Sequence, residues 1–227
     1  MLISSMVGMD LRTTMDMDAT IKGFSLTEEN LQKILQEIVE QDVYDETKFT
    51  LGKIDPIRDD DDYTGYRVSI NAEYGKVQAP IKLDITTGDR ISPKEVKYKF
   101  DLMFEDRKIE ILAYNLETVL AEKFETIIVR NIENTRARDF YDIYILWKFQ
   151  IKNIDKELFK QAINEKFNSR GTEKHLQNLK EIFTSIKSNE KLIGFWNSYR
   201  KNYAYAEEIT YNDVMEVLKN IISSLTI

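Results

Sequence analysis

The hydrophobic period of this chain changes once, near Asn115, and that change constrains the fold more than any other feature. Ahead of it the pattern is of short strands: Phe49 to Ile57, then Tyr66, Val68, Ile70, Ala72 and Tyr74 in period two, then Ile81 to Ile85. Period two marks strands that turn one face to a core. Val96 to Leu112 is expected to add one or two strands around the turn-like Glu105-Asp106-Arg107. A helix interrupts this half, because Ser25-Leu26-Thr27-Glu28 matches a capping box and Leu31, Ile34, Leu35, Ile38 and Val39 follow at helical spacing. Beyond the change, Asn115 can cap a helix whose stripe is Leu116, Val119, Leu120, Phe124, Ile127 and Ile128. Helical stripes then follow over about Arg136–Phe149, Leu158–Phe167, Leu176–Ile186, Lys191–Tyr203 and Asn212–Leu225. The expected class is α+β: a mixed, largely antiparallel sheet with flanking helices over residues 1–114, then a helical bundle over residues 115–227.

Chemistry concentrates on two of the strands. In Arg12-Thr13-Thr14-Met15-Asp16-Met17-Asp18, alternation puts Asp16 and Asp18 on one face and Met15, Met17 and Ala19 on the other. In Ile81-Lys82-Leu83-Asp84-Ile85, Asp84 likewise points away from the core. Three carboxylates gathered on neighbouring strands repel one another unless a cation sits among them. Hard oxygen donors of this kind suit Mg²⁺ or Mn²⁺, so the reaction class is metal-assisted phosphoryl or nucleotidyl transfer. The bland alternative is that these acids keep an exposed strand face soluble.

Composition removes competing chemistries. The 227 residues include no cysteine and one histidine, His175, which excludes disulfides and thiolate sites and leaves little for a histidine-based zinc site or a Ser-His-Asp triad. A net charge of -7 argues against a whole-surface field for nucleic acid, so any polynucleotide partner must use a local patch. No apolar run is long enough to span a membrane and no leader pattern opens the chain, so a cytoplasmic location is expected, with no membrane partner.

Other clusters have plainer readings. Asp59 to Asp62 lies between two strands without the glycine spacing of a calcium loop, and reads as a solvated hairpin. Lys123 falls inside an apolar stripe, either with its stem on the core and its ammonium in water or as a phosphate-contacting cation. Asp139 and Asp142 share a helix face, and Arg138 can pair with Asp142 on a salt-bridged surface. Trp196, Tyr199, Tyr203 and Tyr205 have helix-core spacing, although such rings can also stack bases.

Four stretches in order resemble the AbiEii/AbiGii type of abortive-infection toxin within the polymerase-beta-like nucleotidyltransferases. They are Arg12 to Asp18, Ile81 to Ile85, Leu120-Ala121-Glu122-Lys123-Phe124, and Asn134 to Tyr144, together covering roughly residues 1 to 150. The resemblance implies a nucleotidyltransferase-like sheet, with Asp16, Asp18 and Asp84 as metal ligands and Lys82 beside them in catalysis. Nucleotide contacts are implied for Ser4, Ser5, Arg12, Thr14, Lys123, Asp139 and Asp142. It further implies an NTP substrate, an RNA or other acceptor and a separately encoded antitoxin. The family places a Gly-Gly or Gly-Ser motif just ahead of the first acidic strand; here Met1 falls about where that motif should end, and Ser4-Ser5 offers hydroxyls without glycines. The chain is therefore expected to start within a domain, leaving Leu2, Ile3, Met6 and Val7 as an exposed apolar strip through which it self-associates. Two other functions use the same residues: a catalytically impaired binding protein on this fold, and a Mg²⁺-dependent phosphohydrolase or nuclease.

Overall fold

The computed structural model describes residues 2–8, 10–12, 16–23, 26–42, 46–57, 65–87, 91–102 and 105–225, and of Asp16 the backbone alone. Thr14, Ser25 and the Asp59–Asp62 run lie outside the described residues. By packing the chain divides into two compact units, Thr13–Asp89 and Leu2–Arg12 with Arg90–Ile227.

The first unit is a four-stranded sheet with one helix. Its strands are β1 (Asp16–Ile21), β2 (Thr47–Ile57), β3 (Gly65–Tyr74) and β4 (Val77–Thr87), in the order β1-β4-β3-β2. β4 pairs antiparallel with β3 and β3 with β2, whereas β1 runs parallel to β4, so the sheet is mixed and largely antiparallel as the periodicity predicts. The β3–β4 hairpin turns through Gly75 and Lys76, and Gly75 adopts φ 58°, which glycine takes without the penalty of a Cβ. Edge strand β2 bulges between Leu51 and Ile54. Gly52 sits in that bulge, where a Cβ would meet the Ser69 carbonyl oxygen at 2.9 Å.

Helix α2 (Glu28–Val39) covers one face of this sheet. Its residues Leu31, Leu35 and Val39 recur every fourth position and are buried, and the first two pack with Leu26, Val68 and Ile85. Each such fully buried aliphatic side chain contributes roughly 1.5–3 kcal/mol. The helix starts later than the capping box predicts: Thr27, in extended conformation, is the N-cap and its side chain accepts from the Asn30 amide at 3.2 Å. An N-cap hydroxyl needs a free amide two or three residues on, and Asn30 supplies it to Thr27.

The second unit is helical apart from one hairpin, β5 (Val96–Asp101) with β6 (Lys108–Ala113). Its helices are α1 (Leu2–Val7), α3 (Leu116–Arg130), α4 (Ala137–Gln150), α5 (Lys156–Ser169), α6 (Leu179–Ser188), α7 (Glu190–Asn202) and α8 (Tyr211–Leu225). Leu120, Phe124, Tyr141, Leu146, Phe159, Phe167, Trp196 and Leu218 are all buried in one core. Trp196 and Tyr199 are core residues, as their spacing predicts, and the Trp196 indole donates to the Ile209 carbonyl at 3.1 Å.

The division of the chain falls ahead of the change in periodicity at Asn115, and the hydrogen bonds show why. Asn115 caps α3 through a 2.7 Å bond from the Thr118 amide, while its amide group donates to the Ser92 carbonyl at 2.5 Å. The Ser92 amide donates to the Thr118 hydroxyl at 3.2 Å. The approach to β5 is thereby pinned to the first turn of α3. The front of the chain joins the same unit. Leu2, Ile3, Met6 and Val7 lie half-buried against the helical core, and the Gln150 side chain donates to the Met6 carbonyl at 2.6 Å. The expected exposed strip is corrected on this point: the segment coils into α1, which gathers its apolar residues onto α4 rather than leaving them in water.

Candidate active site

The sheet of the first unit presents a charged face opposite α2. Cα partners in the β1–β4 register are Asp16 with Lys82 and Asp18 with Asp84, and the side chains of Asp18 and Asp84, partners on adjacent strands, share one side. β3 adds Ser69 opposite Lys82 and Arg67 opposite Asp84, and β2 adds Asp55 opposite Arg67. Asp18, Asp84, Arg67 and Asp55 thus form one row across all four strands. Thr20 and Thr86 continue the face, their hydroxyls 3.4 Å apart. The intervening residues, Leu83, Ile85, Val68 and Tyr66, turn the other way into the core under α2. One alternation therefore fixes both the packing and the site.

Arg67 is the residue that sequence reasoning missed. Its Nε and Nη2 donate to the two oxygens of Asp84 at 2.8 and 2.7 Å, a bidentate grip on the central carboxylate. A guanidinium of the protein itself therefore lies against the acids. A signal existed in the sequence: a two-residue turn at Gly75-Lys76 sets Tyr74 against Val77, and counting back along both strands brings Arg67 opposite Asp84. Among the described residues no three Asp, Glu, His or Cys side chains converge to hold a metal ion, the Asp16 side chain not being among them. The donors that are described, Asp18 and Asp84, are hard carboxylate oxygens on one accessible face, and their chemistry fits Mg²⁺ or Mn²⁺ rather than a soft metal.

The second unit holds a different cluster. Asp142 on α4 is fully buried and takes Nε and Nη2 of Arg12 at 2.6 and 3.3 Å. Lys123 on α3 lies 3.0 Å from Oδ2 of the same carboxylate, the oxygen that Arg12 Nη2 also reaches, and 2.7 Å from Asp139. Both acids were expected on a salt-bridged surface with Arg138; they are instead inside, because α4 turns that face onto α3 and the Arg12 segment, where buried carboxylates must find cations. The Lys123 side chain is only 24% exposed, so it is not simply solvated. Burial disfavours its charged form, but Asp142 and Asp139 together outweigh burial and hold its pKa above the ordinary lysine value. Arg12 is likewise held above its usual value, its burial outweighed by Asp142.

Aromatic rings wall this cluster. The Tyr141 hydroxyl donates to the Leu11 carbonyl at 2.5 Å, and Tyr199 and Tyr205 flank it with their hydroxyls 3.1 Å apart. Burial raises the Tyr141 and Tyr199 phenols well above ordinary tyrosine. Of the two serines, Ser4 is buried and its hydroxyl has no partner among the described residues, while the Ser5 hydroxyl lies 3.0 Å from that of Tyr98. Lys82 and Asp18 thus belong to the sheet face, and Lys123, Asp139, Asp142, Arg12, Ser4 and Ser5 to the helical unit.

No curated protein is detectably similar to the chain in sequence. Two Helicobacter pylori crystal structures superpose on it at low similarity. JHP933 is 15% identical with a TM-score of 0.47, over 99% of this chain and 82% of that one. A candidate nucleotidyltransferase from the same organism is 15% identical with a TM-score of 0.48, over 99% and 85%. No helix among the described residues is long and apolar enough to cross a membrane. The family described as nucleotidyl transferase AbiEii toxin, type IV toxin–antitoxin system, matches residues 1–220, and across that span the chain belongs to it.

Proposed function

We propose that the charged sheet face is the catalytic centre of a divalent-metal-dependent nucleotidyltransferase, which moves a nucleotide from an NTP to an RNA or other acceptor and is restrained by a separately encoded antitoxin. The observation that carries the reading is the β1–β4 register, which makes Asp16 the backbone partner of Lys82 and Asp18 that of Asp84. Family membership supports the reaction class.

Asp16, Asp18 and Asp84 would hold Mg²⁺ or Mn²⁺, and the ion would supply charge neutralisation and Lewis acidity at the phosphate. The residues of the chain do the rest. An acceptor hydroxyl attacks the α-phosphorus, a new P–O bond forms, and the bond to the β-phosphate breaks to release pyrophosphate. Asp84 takes the proton of the attacking hydroxyl, and Lys82 offsets the charge that develops on the phosphoryl oxygens. The helical unit, taken by itself, offers Lys123 as a cation fit to contact a phosphate. Its ammonium has three donors, of which Asp139 and Asp142 occupy two. Those acids act by positioning Lys123, and Arg12 by anchoring Asp142. Ser4 and Ser5 take no part, the first being buried and the second engaged with Tyr98.

The test is transfer of label from each α-labelled NTP to total RNA by wild type, Asp18→Asn and Asp84→Asn. Transfer by wild type, reduced by orders of magnitude in both variants with little change in melting temperature, is expected. Equal transfer by all three would remove the sheet face from catalysis. No transfer from any NTP would favour the binding-protein alternative, since Asp84 is already occupied by Arg67.

A further inference from the structure

On the charged face, the cation in contact with the central acid belongs to the protein. Arg67 spans both oxygens of Asp84, at 2.8 and 2.7 Å, and so covers the lone pairs a metal ion would use. The acids around it are Asp18 on the β1 side and Asp55 on the β2 side. Asp18 and Asp84 are partners on adjacent strands and repel, and the Arg67 guanidinium on the far side of Asp84, between it and Asp55, relieves that repulsion when no metal is bound. The pair is not locked. The Arg67 side chain is 55% exposed and that of Asp84 23%, so water and mobile ions compete for both.

We propose that Arg67 is a built-in counter-cation of the site, which grips Asp84 in the metal-free protein and must release it before a divalent ion can bind there. The proposal rests on the reading of Asp18 and Asp84 as metal ligands and adds a residue that sets their affinity. Arg67 keeps the acids paired at low metal and thereby raises the metal concentration at which the site fills. A guanidinium suits this work better than an ammonium, because its planar fork engages both oxygens at once.

Mn²⁺ titration of the full chain at low ionic strength, followed by electron paramagnetic resonance of the free ion, tests both layers separately. Wild type, Arg67→Gln, Arg67→Lys, Asp18→Asn and Asp84→Asn are compared. Removing a half-exposed ion pair predicts that Arg67→Gln binds Mn²⁺ about two- to fivefold more tightly than wild type, with Arg67→Lys in between. Asp84→Asn binds more weakly. A second readout is the Arg67 Nε–H resonance, which shifts on adding Mg²⁺ to wild type and stays put in Asp84→Asn. If Asp84→Asn weakens Mn²⁺ binding but Arg67→Gln leaves it unchanged or also weakens it, the counter-cation proposal fails while the metal site stands. If neither wild type nor Arg67→Gln binds Mn²⁺, both fail together.

Discussion

Asp142→Asn asks whether the acids of the helical unit serve the fold. Asp142 is wholly buried and holds Arg12 at 2.6 and 3.3 Å and Lys123 at 3.0 Å. Asparagine keeps the shape but removes the charge, which takes the Asp142 carboxylate away from the buried Arg12 guanidinium and leaves Lys123 with Asp139. Breaking a buried ion pair from one side costs about 3–5 kcal/mol. The amide oxygen still accepts one hydrogen bond, so the lower end, about 3 kcal/mol, is expected. For a protein of this size each kcal/mol moves the midpoint about 2–4 °C, giving a fall of about 6–12 °C. Asp84→Asn is the internal control, since its half-exposed pair is worth at most about 1 kcal/mol. Thermal denaturation by far-UV circular dichroism measures both. Replacing both partners, Arg12→Met with Asp142→Leu, should recover much of the loss because both charges of the pair are removed. A midpoint for Asp142→Asn that matches Asp84→Asn would refute the reasoning.

Two other expectations follow from the helical unit. Lys123, Tyr141 and Tyr199 all have pKa values raised in the folded state, so their contributions are complete below the unfolded values and are lost as pH rises through the folded ones. Stability should therefore hold through neutral pH and fall above about pH 10, and tyrosinate absorbance should show some of the twelve tyrosines ionising only with unfolding; all twelve ionising together near pH 10 would count against it. Asn115→Ala should cost about 1–2 kcal/mol through the lost cap and speed amide exchange in the segment around Ser92, which Asn115 and Thr118 hold. Asn115→Ser should restore the cap but not the link to Ser92, and slow exchange there in that variant would break the argument.

How much of this was legible depended on whether a pattern was local. Strand alternation put Asp18 and Asp84 outward and Val68 and Ile85 inward, and the structure agrees at each of these positions. Asn115 as a cap and the aromatic helix core were equally readable, because capping and stripe spacing act within one element. What escaped were pairings across the chain. Arg12 and Asp142 are 130 positions apart, and no helix-face rule joins them; the i,i+4 rule pointed to Arg138 instead. The burial of Asp139 and Asp142 also escaped, since an acid at a helix surface and an acid facing a packed neighbour look alike in sequence. Leu2 to Val7 was misread because too few residues were there to reveal a period, and its tertiary contacts with α4 decide its state.

The two groups of acids obey opposite economics of burial, and this separates their roles. Asp18 and Asp84 sit on an accessible sheet face, where a charge stays hydrated, its neighbour Arg67 is worth little to stability, and an ion can exchange. A site meant to fill and empty must look like this. Asp139 and Asp142 are withdrawn from water, so each needs a cation permanently, and Lys123 and Arg12 are there to provide it. An acid so committed cannot give up its partner to a metal without stranding a buried charge. The helical acids are therefore unsuited to exchangeable metal binding, although the Lys123 they hold, with its third donor and partial exposure, is suited to meet an incoming anion. Exposure, and not the mere presence of Asp, is what favours the sheet acids over the helical ones as the proposed metal ligands.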